Sequence, residues 1–507
     1  MSSLKKSTSV QPPASLDLGL TAGELVAALL GLGVERRLHL LDSGGARGVD
    51  ARFLIAGFDP FEVIESSGDE LHVWRRGEGA ARVERGSLLA LLDERLEKYR
   101  ITPATGSPIL PRGGSPISLR GACFATLSYE LSRQFEKPRA FVEFPRRPAP
   151  EPEAVLAFFD VLVVHDYARG ETKIVGVEGS DARMREAREL LRRAAADTKP
   201  EPLETLSSPH GRAVSNMTRE EYVAAVERIR EHIYAGDIYQ ANLTQQISCA
   251  LDAATTPERV FLRLRREHTA SFAAFIRRGD GTAVVSASPE RFLRVSVEEE
   301  EAAAGIVGGV VVGPAGRIVE AWPIKGTRPR GATAEEDARL RSELLSSAKD
   351  AAENIMIVDL MRNDLGRVCR YGSVEVAELC AVQEHPTLFH LVSKVRGVLR
   401  EGVSAGELLR AAFPCGSITG APKIRAMEII DEVETASRGV SMGAVGYFSF
   451  NGALDLSVAI RTITFGPDGT ARFNVGGGVT AESDAGAEYE ESLLKARALL
   501  RALRAEL

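Results

Sequence analysis

The last helical segment of the sequence carries two carboxylates and an ammonium group on one side. Residues 485–503 are rich in Ala, Leu, Glu and Arg and contain neither Gly nor Pro after residue 486, a composition that predicts a helix. Glu488, Glu491 and Lys495 occupy positions i, i+3 and i+7 of this helix and therefore share a face. Such a face is either a solvated set of salt bridges or one wall of a charged site.

Another carboxylate lies in the segment 350–368, which reads DAAENIMIVDLMRNDLGRV. Its apolar residues recur at helical spacing, and Glu353 is embedded in this otherwise buried-looking stretch. Two helices that bring Glu353 and Glu491 together would hold one Mg²⁺ ion, because hard cations prefer carboxylate oxygens. The five cysteines form no CxxC pair and the eight histidines are scattered, so neither a zinc site nor a disulfide framework is expected.

Two glycine-containing segments are candidates for binding an anion. The strand-like residues 471–475 run directly into Gly476, Gly477 and Gly478, where the missing Cβ atoms would let an anion approach the backbone N–H groups. A plain tight turn is the alternative. In 416–434 a Gly-Ala-Pro sequence leads into an amphipathic pattern, which predicts a helix whose N-terminus faces a negative charge.

Two further side chains are of types that take part in chemistry. Lys325 lies in PIKGTRPR, beside a glycine and apolar neighbours. If it is desolvated, its amine becomes a nucleophile; otherwise it is a lysine of a surface loop. His390, in HPTLFHLVSKV, is either a functional histidine or one whose hydrogen bonds are satisfied within the core.

The composition places these residues in an ordinary globular protein. The 507 residues include 63 Lys and Arg against 70 Asp and Glu, and the net charge of -7 argues against a polyanion-binding protein. No run of about 18 apolar residues occurs, and the N-terminus lacks the apolar segment of a signal peptide. We therefore expect a cytoplasmic protein.

Composition also predicts how the chain is divided. A Ser- and Pro-rich tail at 1–18 is expected to be disordered, and a proline-rich linker is expected at 196–212. They delimit an N-terminal subdomain at 19–195 and a C-terminal catalytic domain at 213–507. The low-complexity stretch of Glu, Ala, Gly and Val at 298–316 is typical of a hairpin tip or an insertion.

Local signals predict the first elements of the C-terminal domain. Thr218 and Glu221 have the spacing of a capping box, and apolar residues recur at helical period until Gly236. A strand is predicted over 237–248.

Read in order, the motifs resemble the chorismate-utilising enzymes, the family that includes anthranilate synthase component I, and within it the aminodeoxychorismate synthases. The motifs that carry the resemblance are GDIYQANLTQ (236–245), SPERF (288–292), PIKGTRPRG (323–331), AENIMIVDLMRNDLGRV (352–368), GSITGAPKIRAMEIIDEVE (416–434), VAIRTI (458–463) and GGGVTAESDAGAEYEESLLKA (476–496). A weaker resemblance covers the N-terminal part through LLDSGG and ACFATLSYELSRQFE. Seven motifs in the family's order make a chance match implausible.

The resemblance implies an α+β fold in which two antiparallel β-sheets pack as a sandwich and are flanked by helices. Strands of both halves of the chain enter these sheets in the family, so the linker at 196–212 would divide the sequence more than the structure.

The resemblance also implies the binding roles of the charged residues. Mg²⁺ on Glu353 and Glu491 would bind the ring carboxylate of chorismate. The residues implied to contact the substrate are Gln240, His390, Ser417, Arg461, Gly476, Gly477, Gly478 and Lys495. Among them, Arg461 would hold the enolpyruvyl carboxylate as a bidentate fork.

Two positions separate the reactions of the family. Isochorismate-forming members have a lysine where this chain has Gln240, because they activate water and a glutamine cannot deprotonate it. Anthranilate synthases have an alanine at the position of Lys325, whereas aminodeoxychorismate synthases have a lysine that is proposed to attack ring C2. Glu290 matches the family's general acid/base at the departing oxygen.

The resemblance therefore implies an enzyme that converts chorismate and ammonia to 4-amino-4-deoxychorismate for p-aminobenzoate and folate synthesis. The sequence has no recognisable glutaminase, so a separate glutamine amidotransferase subunit is expected to supply the ammonia. The alternatives are an anthranilate synthase component I and a non-catalytic chorismate-binding module. One departure is Ser441, which stands where family members commonly have an aromatic residue and leaves a second carboxylate contact open.

Overall fold

The computed structural model describes residues 15–45, 52–101, 119–135, 151–197, 211–252, 254–297, 305–307, 310–312, 316–385 and 388–507. The α-helices of these ranges are α1 (Ala22–Leu30), α2 (Leu88–Lys98), α3 (Asp181–Asp197), α4 (Arg219–Tyr234), α5 (Pro257–Glu267), α6 (Ala334–Ser346), α7 (Ala348–Gly366), α8 (Ala405–Ala412), α9 (Lys423–Val433) and α10 (Ala485–Leu503). No helix in the described part of the chain is both long and apolar enough to cross a membrane.

The strands in chain order are β1 (Leu16–Asp17), β2 (His39–Asp42), β3 (Phe53–Gly57), β4 (Glu62–Ser67), β5 (Glu70–Arg75), β6 (Arg82–Arg85), β7 (Ala122–Leu127), β8 (Ala154–Phe159), β9 (Val161–Asp166), β10 (Glu171–Gly176), β11 (Gly211–Ser215), β12 (Gln240–Ala250), β13 (Phe272–Arg277), β14 (Ala283–Ser288), β15 (Arg291–Val297), β16 (Gly305–Val307), β17 (Val310–Val312), β18 (Arg317–Trp322), β19 (Ile324–Pro329), β20 (Glu375–Glu384), β21 (Leu388–Val398), β22 (Gly420–Ala421), β23 (Ala444–Ser449), β24 (Leu454–Val458), β25 (Thr462–Phe465), β26 (Thr470–Val479) and β27 (Ala505–Glu506).

These strands form two large sheets and one small hairpin. Sheet 1 has the order β1-β10-β9-β3-β2-β13-β14-β25-β26-β12-β11-β27, and β22 pairs with β12. Sheet 2 has the order β19-β21-β18-β15-β24-β23-β7-β8-β4-β5-β6, and β20 pairs with β21. Neighbouring strands are antiparallel except for the parallel pair of β11 and β27, and β16 pairs only with β17 among the described strands.

The two sheets pack face to face, and the helices cover their outer faces. One buried cluster joins Ile55 and Leu162 of sheet 1 to Phe124 and Phe159 of sheet 2. A second cluster packs the other face of sheet 2 against α2, α7 and α8, and a third packs sheet 1 against α1, α3, α5 and α10. The predicted α+β fold with two antiparallel sheets and flanking helices is thereby confirmed.

Both sheets contain strands from both predicted regions of the chain. In sheet 1, β2 of the N-terminal region pairs with β13 of the C-terminal region, and in sheet 2 β7 pairs with β23. The division into 19–195 and 213–507 remains a prediction about the sequence, and these pairings place the two regions within shared sheets.

The structure corrects the ends of the predicted tail and linker. Leu16–Asp17 pairs with β10, and Leu18 is buried, so residues 16–18, which were assigned to the tail, are part of the fold. At the linker, α3 continues to Asp197 and β11 already begins at Gly211. In both cases residues assigned to a tail or linker form backbone hydrogen bonds in a strand or helix, which composition alone does not reveal. Residues 1–14 and 198–210 lie outside the described residues.

Candidate active site

The site is built on two neighbouring strands of sheet 1, β12 and β26. The three glycines were expected to follow a strand, and this is wrong: they lie inside β26, where Gly476 faces Thr244 and Gly478 faces Asn242. The N–H groups of Thr244 and Asn242 bond instead to Glu434 and to Thr419. Thr244–Gly476 and Asn242–Gly478 are therefore non-hydrogen-bonded pairs of the antiparallel ladder, in which both residues direct their N–H groups away from each other. The N–H groups of Gly476 and Gly478 accordingly point away from β12.

Gly478 is the point at which three predicted residues meet. A Cβ at this position would overlap the side-chain amide of Gln240 and would lie 3.5 Å from Lys325 Nζ. Gln240 is buried, and its Oε1 has no hydrogen-bond partner among the described residues. Gln240 and Lys325, which are 85 positions apart in the sequence, are therefore brought together with the glycine strand.

Gly477 faces the other way, towards α10. A Cβ there would lie 3.0 Å from Glu488 Oε2, 3.5 Å from Lys495 Nζ and 3.9 Å from Glu491 Oε1. Lys495 donates to the carbonyl of Gly476 at 2.8 Å and also lies 2.8 Å from Glu491. The face predicted from the i, i+3, i+7 spacing thus lies against the glycine strand, with Glu488 buried and with Glu491 and Lys495 about half exposed.

The electrostatics of Glu488 and Glu491, the two α10 carboxylates near Gly477, differ. Burial raises the pKa of Glu488, and the neighbouring Glu491 adds to this effect. Burial also opposes ionisation of Glu491, but Lys495, Lys349 and Lys325 outweigh it and hold the pKa of Glu491 below its ordinary value. Glu491 is therefore the carboxylate that stays ionised and available to a cation.

Glu353 of α7 lies near Lys325, the side chain that approaches Gly478. Its carboxylate lies 3.8 Å from Lys325 Nζ, and both side chains are largely buried, with 16% and 14% exposed. In the described part of the chain, no three Asp, Glu, His or Cys side chains are close enough to form a complete metal cage. The donors present, carboxylates from two helices, suit a hard cation that takes its remaining ligands from water or substrate.

Glu290 lies just before β15 and faces the lysine from another side. It is 4% exposed, and its Oε1 has no hydrogen-bond partner among the described residues. Burial raises the pKa of Glu290 to about 7, against the opposing influence of Ser417, Lys325 and the backbone at Ile324. A carboxyl group with this pKa can donate and accept a proton near neutral pH.

His390 is buried beside β19. Its Nδ1 lies 2.9 Å from the hydroxyl of Thr327. Burial lowers the pKa of His390 to about 3, with further contributions from Arg461 and from His385. The imidazole is therefore neutral at physiological pH, and its hydrogen-bond partners are the hydroxyl of Thr327 and the backbone of Gly326.

Arg461 is a partly buried cation at a left-handed backbone position, with φ of 49°. Burial lowers the pKa of its guanidinium. Among the described residues, no carboxylate pairs with this side chain. An uncompensated buried guanidinium is costly unless an anion binds to it, so this position suits a carboxylate of a ligand.

The structure also brings in residues that the motifs did not single out. Lys349 acts on both α10 carboxylates, and the buried His385 stacks edge-on against His390 with ring centroids 5.2 Å apart. The Gly-Ala-Pro segment forms β22 and pairs with the start of β12. Its role as a second anion site stays a prediction. Ser441, the departure noted above, accepts from the N–H of Asn474 at 2.9 Å.

Comparisons with known proteins agree on one family. Residues 42–501 match the sequence profile of a family described as chorismate binding enzyme. The chain is 36% identical over 467 residues to aminodeoxychorismate synthase component 1 of Klebsiella aerogenes, covering 92% of this chain and 93% of that protein. It is 34% identical over 476 residues to anthranilate synthase component 1 of Pseudomonas aeruginosa, covering 92% and 90%. The crystal structure of anthranilate synthase component I from Streptococcus pneumoniae TIGR4 matches with a TM-score of 0.70 at 27% identity, covering 89% of this chain and 92% of that chain.

Proposed function

Because the chain belongs to the family of chorismate-binding enzymes, we propose that it aminates chorismate at C4 to give 4-amino-4-deoxychorismate, a precursor of p-aminobenzoate in folate synthesis. Overall identity does not separate this reaction from anthranilate formation, since relatives with the two names are 36% and 34% identical to the chain. The observation that carries the proposal is Lys325, a largely buried amine beside Glu353 and Gly478.

Lys325 and Glu290 divide the chemistry. The deprotonated amine of Lys325 adds to ring C2, the two conjugated ring double bonds shift to C1=C6 and C4=C5, and Glu290 protonates the C4 hydroxyl, which leaves as water. Ammonia then adds at C4, both double bonds shift back, and the bond from C2 to the lysine nitrogen breaks. Glu290 accepts the proton that the new ammonium group loses, so the residue returns to its starting state.

The remaining predicted residues bind and orient the substrate. Chorismate carries two carboxylates, and we assign the enolpyruvyl carboxylate to Arg461, a partly buried guanidinium that pairs with no carboxylate among the described residues. The ring carboxylate lies over the N–H groups of Gly476 and Gly478, with Lys495 nearby. Gln240, His390 and Ser417 line the ring. Because the amide of Gln240 cannot deprotonate water, water is not activated to compete with ammonia as the nucleophile.

A divalent cation completes the carboxylate site in this proposal. Glu353 and Glu491 would hold Mg²⁺, with Glu488 close by on the same helix face. When bound, the ion neutralises the repulsion between these side chains and the ring carboxylate. Support comes from the hard oxygen donors on two helices and from the lowered pKa of Glu491, which keeps that carboxylate ionised.

Ammonia is proposed to come from a second subunit. The relatives named component 1 imply a further component, and a glutamine amidotransferase would supply nascent ammonia. We propose that chorismate, Mg²⁺ and this subunit are the partners of the chain.

The product of the purified chain tests the proposal. Incubation with chorismate, Mg²⁺ and an ammonium salt should give an amino compound that retains the enolpyruvyl group, as identified by mass spectrometry. Anthranilate with free pyruvate would instead establish the alternative reaction. Recovery of unchanged chorismate, with heat-stable folded protein and an active relative run in parallel, would refute both.

A further inference from the structure

A completely buried guanidinium lies behind the substrate residues. Arg438 is 1% exposed. Its Nη1 donates to the carbonyl of Ile418 at 2.6 Å, and its Nη2 donates to the carbonyl of Asn242 at 2.5 Å. Ile418 directly follows Ser417, and Asn242 is two residues beyond Gln240 on β12. One side chain therefore joins the two backbone segments that carry these substrate residues.

The counter-ion of Arg438 is attached to the same strand. Glu434 accepts from Arg438 Nε at 2.9 Å and from Nη2 at 2.7 Å. The Oε1 atom of Glu434 also accepts from the N–H and the hydroxyl of Thr244, at 2.7 and 2.9 Å. The ion pair thus attaches a second residue of β12, on the side away from the glycine strand.

The backbone of Arg438 is held in turn by the N-terminal region. Glu130 accepts from the N–H groups of Arg438 and Gly439 at 2.7 and 2.9 Å. The guanidinium carbon lies 4.6 Å from the centre of the Tyr129 ring. These contacts hold the backbone of Arg438 as well as its guanidinium group, so the side chain has little freedom to move.

From this geometry we infer that Arg438 is a positioning residue: it sets the distance between Ser417 and Gln240 across the active site. The inference rests on the proposed function, because it concerns the same site. A buried ion pair by itself is weak evidence for stability. The planar fork of an arginine, however, can fix several acceptors in defined directions, which the single ammonium of a lysine cannot do.

The proposal has a consequence for catalysis that a purely stabilising role lacks. Ser417 is one of the groups that oppose the effect of burial on the pKa of Glu290. If the segment after Ser417 is released, the hydroxyl moves away from the carboxyl group. The pKa of Glu290, the proton donor, then rises, although the side chain that was replaced does not contact the substrate.

The test compares Arg438→Lys with a matched variant, Arg95→Lys. Arg95, on α2, is also buried and bonds to the buried carboxylate of Glu62, on β4, at 3.0 Å. Chorismate consumption with ammonium is measured for both variants over a range of pH, together with melting temperature. We expect Arg438→Lys to lose about 10²-fold in kcat, the scale of a 1 Å misplacement, with a smaller change in KM. The pH at which kcat falls to half should also rise.

Arg95→Lys should lower the melting temperature and leave kcat and its pH profile within twofold of the parent protein. If Arg438→Lys behaves in the same way as Arg95→Lys, the positioning role is overturned. Where Arg438→Lys does not fold, Glu130→Gln decides, since it removes one backbone acceptor and keeps the side-chain volume. It should lower kcat and shift the pH profile, and an unchanged profile overturns the inference. An inactive parent protein would refute the proposed function instead, so the two failures are distinguishable.

Discussion

Replacement of Glu290 by glutamine tests the proton donor directly. The side chain is buried, and its pKa rises from 4.5 to about 7. At about 1.4 kcal/mol for each pKa unit, the folded protein disfavours the ionised form by about 3 kcal/mol. Half of the molecules would then carry the proton near pH 7, whereas an ordinary glutamate would carry almost none.

The assay is the pH dependence of kcat with ammonium and chorismate at saturation. Since the protonated carboxyl of Glu290 is the active form in the first step, it contributes a limb along which kcat falls as pH rises through about 7. The mechanism also needs a deprotonated amine on Lys325, which acts in the opposite sense in both proteins, so the limb is read from the ratio of the parent kcat to that of Glu290→Gln. Free ammonia must be held constant, because its fraction rises with pH. Glu290→Gln should lose about 10²- to 10⁴-fold in kcat, and its remaining activity should lack this limb.

Stability offers an independent readout of the same carboxyl group. Because its folded-state pKa is raised, the stabilisation present below about pH 4.5 is lost as pH rises through about 7. Glu290→Gln should therefore melt above the parent protein at pH 8.5 and lose this advantage at pH 4.5. Glu62→Gln is the control, since Glu62 is equally buried but ion-paired with Arg95. A ratio of parent to Glu290→Gln kcat that stays flat from pH 6 to 9, or a glutamine variant that keeps half of the activity, would refute the reasoning.

Three other predictions follow from the site. Lys325→Ala should lose at least 10²-fold in 4-amination, and mass spectra of the quenched parent protein should contain a lysine adduct; unchanged 4-amino product without any adduct would contradict the nucleophile role. Glu491→Gln should raise the Mg²⁺ concentration for half-maximal activity at least tenfold, whereas Glu490→Gln, an exposed neighbour on the same helix, should not; equal metal requirements would exclude Glu491 as a ligand. The purified chain should use ammonium but not glutamine until an amidotransferase subunit is added, and turnover with glutamine alone would show a glutaminase site within the chain.

Some elements of the site follow from local sequence alone. The capping box of Thr218 and Glu221 starts α4 as expected, because its hydrogen bonds join residues three apart. The shared face of Glu488, Glu491 and Lys495 follows in the same way from the helical repeat. These features depend only on neighbours in the chain, so the sequence determines them before any tertiary contact forms.

The family motifs identified site residues that hydrophobic periodicity does not mark. Gln240, Glu290 and Arg461 stand out only through the family resemblance, because a single glutamine, glutamate or arginine has no local pattern that marks a site. The family and the fold class implied by that resemblance are confirmed by the matching sequence profile and by the two packed sheets.

Only the tertiary structure decided where these residues meet and what charge they carry. The glycines belong to a strand rather than to a loop because β12 pairs along their whole length, and a partner more than 200 positions away cannot be read from local composition. The approach of Lys325 to Gly478, and the pKa of about 7 at Glu290, depend likewise on burial by distant segments. Local sequence thus determined the helices and their faces, whereas long-range packing determined the site, because pairing and desolvation are properties of segments that meet only in the folded chain.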